Sequence, residues 1–370
     1  MKIDRIELFH LRLPLVHFFE TSFGRVYDHE TVLVRIDGGG KTGWGESSAS
    51  ASPGFSYETV HTVWHITRDF LARKLKSVEF FRAIPVAELF SNVRGHNMAK
   101  AGVEMAVLDL IAKSEDKPLR VLLGGERTEI PTGISLGIED KLDDLLKRVE
   151  DAVAKGYQRI KIKIKPKWDV DVIAAVRKRF PSTPLMADAN SAYTLADIEH
   201  LKRLDEFGLM MIEQPLDYDD YVDHAKLQAA IKTPVCLDES IRSWHDARRA
   251  IELGSCKIIN IKQARVGGPF NARMVHNVCQ KKSIPVWCGG LLESGVGRAH
   301  NIALATLPNF TLPGDISASE RYYREDIIDP PIVVTPRGTI EVSAGPGIGV
   351  AVNETKLLRY CVRREVVLGQ

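Results

Sequence analysis

Apolar and polar residues alternate with a period of two through KIDRIELFHLRLPL (2–15) and TVLVRID (31–37), which predicts two strands. DGGGKTGWGE (37–46) predicts a hairpin turn running into a third. The period then lengthens: Val63, Ile66 and Phe70 fall on one helical face, and Ala99, Val103, Ala106 and Leu110 on another. SSASASPGFSY (47–57) is small, polar and broken by Pro53 and Gly54, which predicts a mobile surface loop. The first third is therefore α+β in pattern.

From about residue 130 short apolar runs recur, each followed by a helical stretch. They are IPTGISLGI (130–138), RIKIKIK (159–165), PLMADAN (184–190), LMMIEQP (209–215), PVCLDES (234–240), KIINIKQ (257–263), IPVWCGG (284–290) and FTLPGDIS (310–317). One intervening helix carries its own punctuation, with Ser243 as N-cap, Trp244, Ala247 and Ile251 on one face and Gly254 at the end. Apolar strands alternating with helices predict a parallel sheet, and eight repeats favour a closed (β/α)8 barrel over an open sheet. An open doubly wound sheet would carry a Gly-rich dinucleotide turn after its first strand, and GISLGIED is not one. The tail, roughly 330–370, reads as strand and turn (GTIEV, GPGIGV) and is expected to return to the N-terminal unit.

Within KIKIKPKWD (161–169), Lys161, Lys163 and Lys165 share one face of a strand, while Ile160, Ile162 and Ile164 share the other. Alone, this reads as a solvated sheet face or a charged edge strand. The spacing along the chain changes that. Asp188 follows Lys163 by 25 residues, Glu213 follows by 25 more, Asp238 by 25 and Lys262 by 24. One βα unit has that length, so the five residues occupy equivalent places on successive strands, at the mouth where barrels build active sites. Lysines pointing into a barrel must be compensated by opposite charge. Each acid taken singly could be a helix N-cap, but three in register would repel one another with nothing between them. A hard divalent cation resolves this, Mg²⁺ being the natural candidate. Such an ion on a substrate carboxylate acidifies the adjacent carbon and stabilises the enediolate formed on proton removal. Lys163 and Lys262, on opposite sides of the barrel, could then exchange a proton with either face of one carbon. Lys165 and Lys167, past the strand end, read as solvated.

Composition narrows the partners. At 370 residues the chain accommodates a large barrel and a smaller unit, and 44% hydrophobic with 26% charged residues is ordinary for a globular protein. A net charge of +2 without a basic run argues against nucleic acid. No apolar run approaches the ~20 residues that span a bilayer, and Asp4, Glu7 and Arg12 interrupt the first apolar positions, so no signal peptide is predicted. Cys236, Cys256, Cys279, Cys288 and Cys361 include no C-x-x-C pair, which predicts neither a zinc site nor a disulfide framework and makes the cytoplasm the expected compartment.

Together these residues resemble the enolase superfamily, in the subgroup that includes muconate cycloisomerase. The resemblance runs over nearly the whole chain, from TGWGES (42–47) and AKAGVEMAVLDL (99–110) to PGDISAS (313–319). It implies a capping domain over residues 1–125, a modified TIM-type barrel over 126–325 and a C-terminal segment, 326–370, returning to the cap. It gives Lys161 and Lys163 of the K-x-K motif and Lys262 of NIKQARVGG to catalysis, and Asp188 (DAN), Glu213 (IEQP) and Asp238 (LDES) to Mg²⁺ or Mn²⁺. It further implies that Ser135, Asn190, Glu239, Arg265, Gly289, Gly290 and Leu291 surround the substrate. Loops near 17–27 and 47–57 would close over it through Phe19, Ser22, Phe23 and Tyr57. A small-molecule carboxylate substrate and a homo-oligomer are expected.

RIKIKIKPKWD, LDESIRS, VWCGGLLESGVGRAHN and LPGDISAS are most similar to o-succinylbenzoate synthases and N-succinylamino acid racemases. The first reaction is a β-elimination of water from a cyclohexadiene carboxylate in menaquinone biosynthesis, the second a 1,1-proton transfer, and both begin with α-proton abstraction. In the elimination the resemblance gives Lys163 the acid/base work and Lys262 an electrostatic role. One local departure is Gln263-Ala264, where relatives would have something closer to Pro-Gly; Arg265 remains, and the resemblance gives it a role in tuning Lys262. Dipeptide epimerases share the catalytic residues but would carry a D-x-D pair near the eighth strand, where this chain has only Glu293 and Asp315. A muconate-type cycloisomerase is a further alternative, and a non-catalytic relative a remote one, since no lysine or metal acid is lost. GGLLESGVG (289–297) could cradle a phosphate but lacks a G-K-[ST] signature.

Overall fold

The computed structural model describes residues 2–76, 78 and 86–369. Strands β1 (Arg5–Thr21), β2 (Gly24–Gly38) and β3 (Lys41–Ser47) form an antiparallel sheet. The segment 17–27, expected as a loop, is instead the tip of the β1–β2 hairpin, reached through a register shift between Pro14 and Phe19. The strand pairs Phe19–Val26, Glu20–Arg25 and Thr21–Gly24 carry the backbone hydrogen bonding out to a two-residue turn, Ser22–Phe23. The helix Asn97–Ser114 is buried almost all round, as its nearly continuous small and apolar residues require. It crosses β3 at backbone contact: a Cβ on Gly45 would lie 2.6 Å from the Ala106 nitrogen. That close approach explains the two glycines of TGWGE. Ahead of it, a π-helical turn over Thr67–Leu71 shifts the helical register. Val63 is buried as expected, but Phe70 is half exposed and Leu71 takes the inward position.

β4 (Glu129–Pro131) and β5 (Ile134–Leu136) split the first barrel run, and only β5 enters the parallel sheet. β6 (Ile160–Lys163), β7 (Leu185–Asp188), β8 (Ile212–Glu213), β9 (Val235–Leu237), β10 (Ile258–Ile261) and β11 (Val286–Cys288) follow in sequence order. The eighth run, FTLPGDIS, forms no regular strand. It closes the ring through single bridges, Phe310 to Val286 and Gly314 to Thr132, with Asp315 N donating to the Cys288 carbonyl at 2.8 Å. Pro313 and Gly314 interrupt the run, which is why the ladder fails there. In the tail, β12 (Ile328–Asp329) pairs with β14 (Ala351–Val352), β13 (Thr339–Glu341) pairs with β4, and β15 (Cys361–Leu368) adds to β1. The last chain segment thus joins the capping sheet. Among the described residues, no helix is long and apolar enough to cross a membrane.

Candidate active site

The alternation in β6 resolves as two opposite environments. Ile160, Ile162 and Ile164 join the apolar shell between strands and helices, whereas Lys161 and Lys163 point into the barrel. Beneath them the interior is plugged by Met186, Met211, Cys236, Ile258 and Trp287. Lys161 Nζ lies 4.9 Å from the Trp287 ring centroid and is ringed by Asp315 Oδ2 at 2.5 Å, Glu213 Oε2 at 3.0 Å and Asp188 Oδ2 at 3.3 Å. Burial works against its ammonium, but Asp315, Glu213 and Asp188 outweigh that and hold its pKa well above the ordinary lysine value. Lys161 is a fixed positive charge.

Lys163 Nζ donates to Asp188 Oδ2 at 2.5 Å and Asn190 Oδ1 at 2.6 Å. Burial, joined by the charges of Lys161 and Lys262, pushes its pKa below the ordinary value, with Asp188 opposing. Lys262, one residue past β10, donates to Asp238 Oδ2 at 2.6 Å and lies 4.2 Å from the Phe55 ring centroid. Arg265 donates through Nη1 to Asp238 Oδ1, through Nε to the Ile241 carbonyl at 2.6 Å and through Nη2 to the Asn260 carbonyl at 2.6 Å. Asn190 Nδ2 donates to Glu239 Oε1 at 2.9 Å, and Asn260 Nδ2 to Glu213 Oε1 at 2.6 Å. Burial and the neighbouring Asp188 raise Glu239 to about 7.

Lys161, Lys163 and Lys262 line one cavity of about 110 Å³. Phe19, Phe23, Phe55, Leu291 and Leu292 form its apolar wall, and Ser135, Asn190, Gly290 and Asp315 its polar one. The Ser135 hydroxyl is buried without a hydrogen-bond partner. Gly289 is required by close packing: a Cβ there would lie 2.7 Å from Lys262 Cε. Ser22 Oγ donates to the Asn190 carbonyl at 2.8 Å, which seats the hairpin turn on the barrel. Tyr57, half exposed, does not line this cavity but an adjoining one of about 480 Å³, which shares Phe23, Phe55 and Asn190 with it and is also lined by Glu239 and Arg265. One expectation is corrected. Lys165 is not simply solvated, since its Nζ pairs with Glu20 Oε1 at 2.9 Å and ties the barrel mouth to the hairpin. Lys167 is exposed.

Asp188, Glu213 and Asp238 are fully buried at the ends of three adjacent strands, and their hard oxygen donors suit Mg²⁺ or Mn²⁺. Among the described residues, no three acidic, histidine or cysteine side chains are disposed to hold a metal ion as they stand. Ion pairs hold all three carboxylates: Lys163 and Lys161 on Asp188, Lys161 on Glu213, and Lys262 with Arg265 on Asp238. Glu239 Oε2 and Asn260 Oδ1, in the same network, are buried without hydrogen-bond partners. Three buried carboxylates with these unpartnered polar atoms beside them are a donor set that fits a divalent cation.

Two family models cover this chain: "Mandelate racemase / muconate lactonizing enzyme, N-terminal domain" over residues 5–124 and "Enolase C-terminal domain-like" over 144–356. The chain belongs to the mandelate racemase / muconate lactonizing enzyme family of the enolase superfamily. Its similarity to an o-succinylbenzoate synthase of Geobacillus kaustophilus is 54% identity over 361 residues, covering 97% of this chain and 96% of that protein. An N-succinylamino acid racemase of Amycolatopsis sp is 47% identical over 352 residues, covering 95% of each. Among solved structures, an enolase superfamily member from Listeria innocua superposes with a TM-score of 0.95 at 42% identity, covering 100% of this chain and 99% of that one. A dipeptide epimerase from Cytophaga hutchinsonii, complexed with Mg and D-Ala-L-Val, gives 0.91 at 25%, covering 99% and 100%. Members of this superfamily use a divalent metal.

Sequence reasoning left several residues in and around the site unassigned. Asp315 stands at the end of the eighth run, so the strand-end rule that found the other acids could have found it too. Trp287 and Asn260 point inward from β11 and β10, but period-two alternation cannot say which face is inward. Phe55 sits in an irregular loop and Asn97 at a helix start, and neither position carries a periodic signal.

Proposed function

We propose that this protein abstracts the α-proton of a small carboxylate, acting as an o-succinylbenzoate synthase, an N-succinylamino acid racemase or both. One observation carries the reading: Lys163 and Lys262, both buried, face one small cavity from β6 and from the end of β10, with Asp188, Glu213 and Asp238 between them. Mg²⁺ or Mn²⁺, when held by these three carboxylates, supplies the positive charge that acidifies the α-carbon and offsets the enediolate. Lys163 Nζ takes a proton at one face of that carbon and Lys262 Nζ serves the other, as a 1,1-proton transfer needs. In the elimination Lys163 carries the proton and Lys262 holds positive charge. Lys161 keeps a second positive charge beside Lys163. Phe19, Phe23, Phe55, Leu291 and Leu292 exclude water from the reacting carbon.

Dipeptide epimerisation fits less well. Asp315 is paired with Arg159 at 2.7 Å and Lys161 at 2.5 Å, while Glu293 accepts from Leu291 N at 2.8 Å and Asn301 Nδ2 at 3.0 Å. Neither acid is free to take a dipeptide's ammonium. A homo-oligomer belongs to the same proposal, and sedimentation tests it.

The test is proton NMR of the protein with Mg²⁺ and N-succinyl-L-phenylalanine in D2O, alongside dehydration of the cyclohexadiene carboxylate. Loss of the α-proton signal with appearance of the D-isomer supports racemisation. Failure of both exchange and dehydration would sink the proposal. Lys163→Ala should abolish racemisation and elimination, and Lys262→Ala should abolish racemisation. Full racemase turnover in either variant would refute the two-base assignment.

A further inference from the structure

A side-chain amide of the cap reaches the Lys262 side of the site. Asn97, the first residue of the helix Asn97–Ser114, donates from Nδ2 to the Arg265 carbonyl at 2.8 Å and to the Arg242 carbonyl at 3.0 Å. Both amide protons are thus spent on barrel backbone, in the segment that follows β9 and in the short helix Gln263–Val266 that follows β10. Arg242 comes four residues after Asp238, and Arg265 three after Lys262. The same segment turns at Gly267, whose φ of 91° favours glycine and where a Cβ would come within 3.2 Å of Asn97 Oδ1. Arg265 in turn grips Asp238, the partner of Lys262.

The helix start is itself anchored. The buried Glu58 carboxylate accepts from Met98 N at 2.9 Å and Ala99 N at 3.2 Å. Glu58 closes the loop that presents Phe55 to Lys262, and the base of that loop is sealed by the Ser50–Thr59 bridge. Lys163 is held differently, by Asp188 and Asn190 of the barrel. Asn97 therefore bears on one of the two lysines.

We propose that Asn97 is a positioning residue for Lys262, coupling the seating of the cap helix on the barrel to the aim of that one base. The proposal rests on the two-base reading above. Loss of the Nδ2–H donors frees the Arg265 segment from the cap and lets Lys262 drift from its line to the α-carbon. A misplacement of ~1 Å is enough to cost about 100-fold in rate.

The experiment measures α-proton exchange into D2O from N-succinyl-L-phenylalanine and from its D-enantiomer, each saturating, with Mg²⁺. Lys262→Ala first identifies the enantiomer that depends on Lys262. Asn97→Ala, and the isosteric Asn97→Asp that lacks the amide protons, should then lower kcat for that enantiomer by about 10-fold or more, with the other falling less than about 3-fold. KM should change little for either. If Asn97→Ala is recovered unfolded, Asn97→Ser and Asn97→Asp carry the comparison. Equal losses for both enantiomers, or no loss for either, overturn the proposal. A wild-type protein that exchanges neither enantiomer is a different result: it refutes the two-base reading and removes the ground for this inference with it.

Discussion

Replacing Glu104 with Gln should stabilise the protein at high pH and change it little at low pH. Glu104 lies on the cap helix, 2% exposed, where it meets the barrel. Its Oε1 accepts from Phe270 N at 3.0 Å, at the start of the helix Pro269–Lys281, while Oε2 is buried without a partner. Burial pushes its pKa from 4.5 up to about 8, with the Phe270 hydrogen bond and the Arg273 charge opposing too weakly to hold it down. The sign follows from proton counting. Below 4.5 the carboxyl is neutral folded and unfolded, so it costs nothing. Between 4.5 and about 8 the folded chain keeps a proton that the unfolded chain releases, and stability falls as pH rises. The full loss is at most ~5 kcal/mol at 1.36 kcal/mol per pH unit. An unfolding entropy of about 2.1 cal/mol/K per residue gives ~0.8 kcal/mol/K for 370 residues, so the loss corresponds to about 6 °C. Gln keeps the acceptor for Phe270 and cannot ionise. Calorimetry of both proteins at about pH 5 and about pH 9 should show the variant gaining up to ~6 °C relative to wild type between the two. A Tm difference that is the same at both pH values would mean Glu104 does not carry this cost, and the reasoning would fail.

Asp238→Asn should raise the Mg²⁺ concentration for half-maximal activity by about 10-fold or more, and an unchanged Mg²⁺ dependence would remove Asp238 from the ligand set. Gly45→Ala should lower stability by ~1–3 kcal/mol in denaturant unfolding, because the new methyl meets the backbone of the cap helix rather than a side chain that could turn away. An unchanged midpoint would show that the helix shifts freely on β3. Lys165→Met should cost less than ~1 kcal/mol of stability, since the Lys165–Glu20 pair is partly exposed. It should nevertheless raise KM by releasing the hairpin that carries Phe19 and Phe23, and equal KM values would show that this ion pair does not seat the hairpin.

Local periodicity and the length of one βα unit were enough to read a barrel from the chain and to pick out Lys163, Asp188, Glu213, Asp238 and Lys262 as strand-end residues. Both signals are set by the backbone, which repeats whatever the surroundings. Other features were decided only when the elements packed. Which face of β6 turns inward depends on whether the lysines or the isoleucines meet the carboxylates of neighbouring strands, and a buried ammonium left unpaired would be too costly. A single π turn rotates Phe70 to the surface, and Pro313-Gly314 turn the eighth strand into an irregular closure. The hold of Ser22 on Asn190, the Lys165–Glu20 pair and the hold of Asn97 on Arg265 join residues far apart along the chain, 168 positions in the last case. Contacts of that kind leave no pattern in one dimension. They arise because buried donors, acceptors and charges must find partners in whatever neighbours the tertiary structure brings to them.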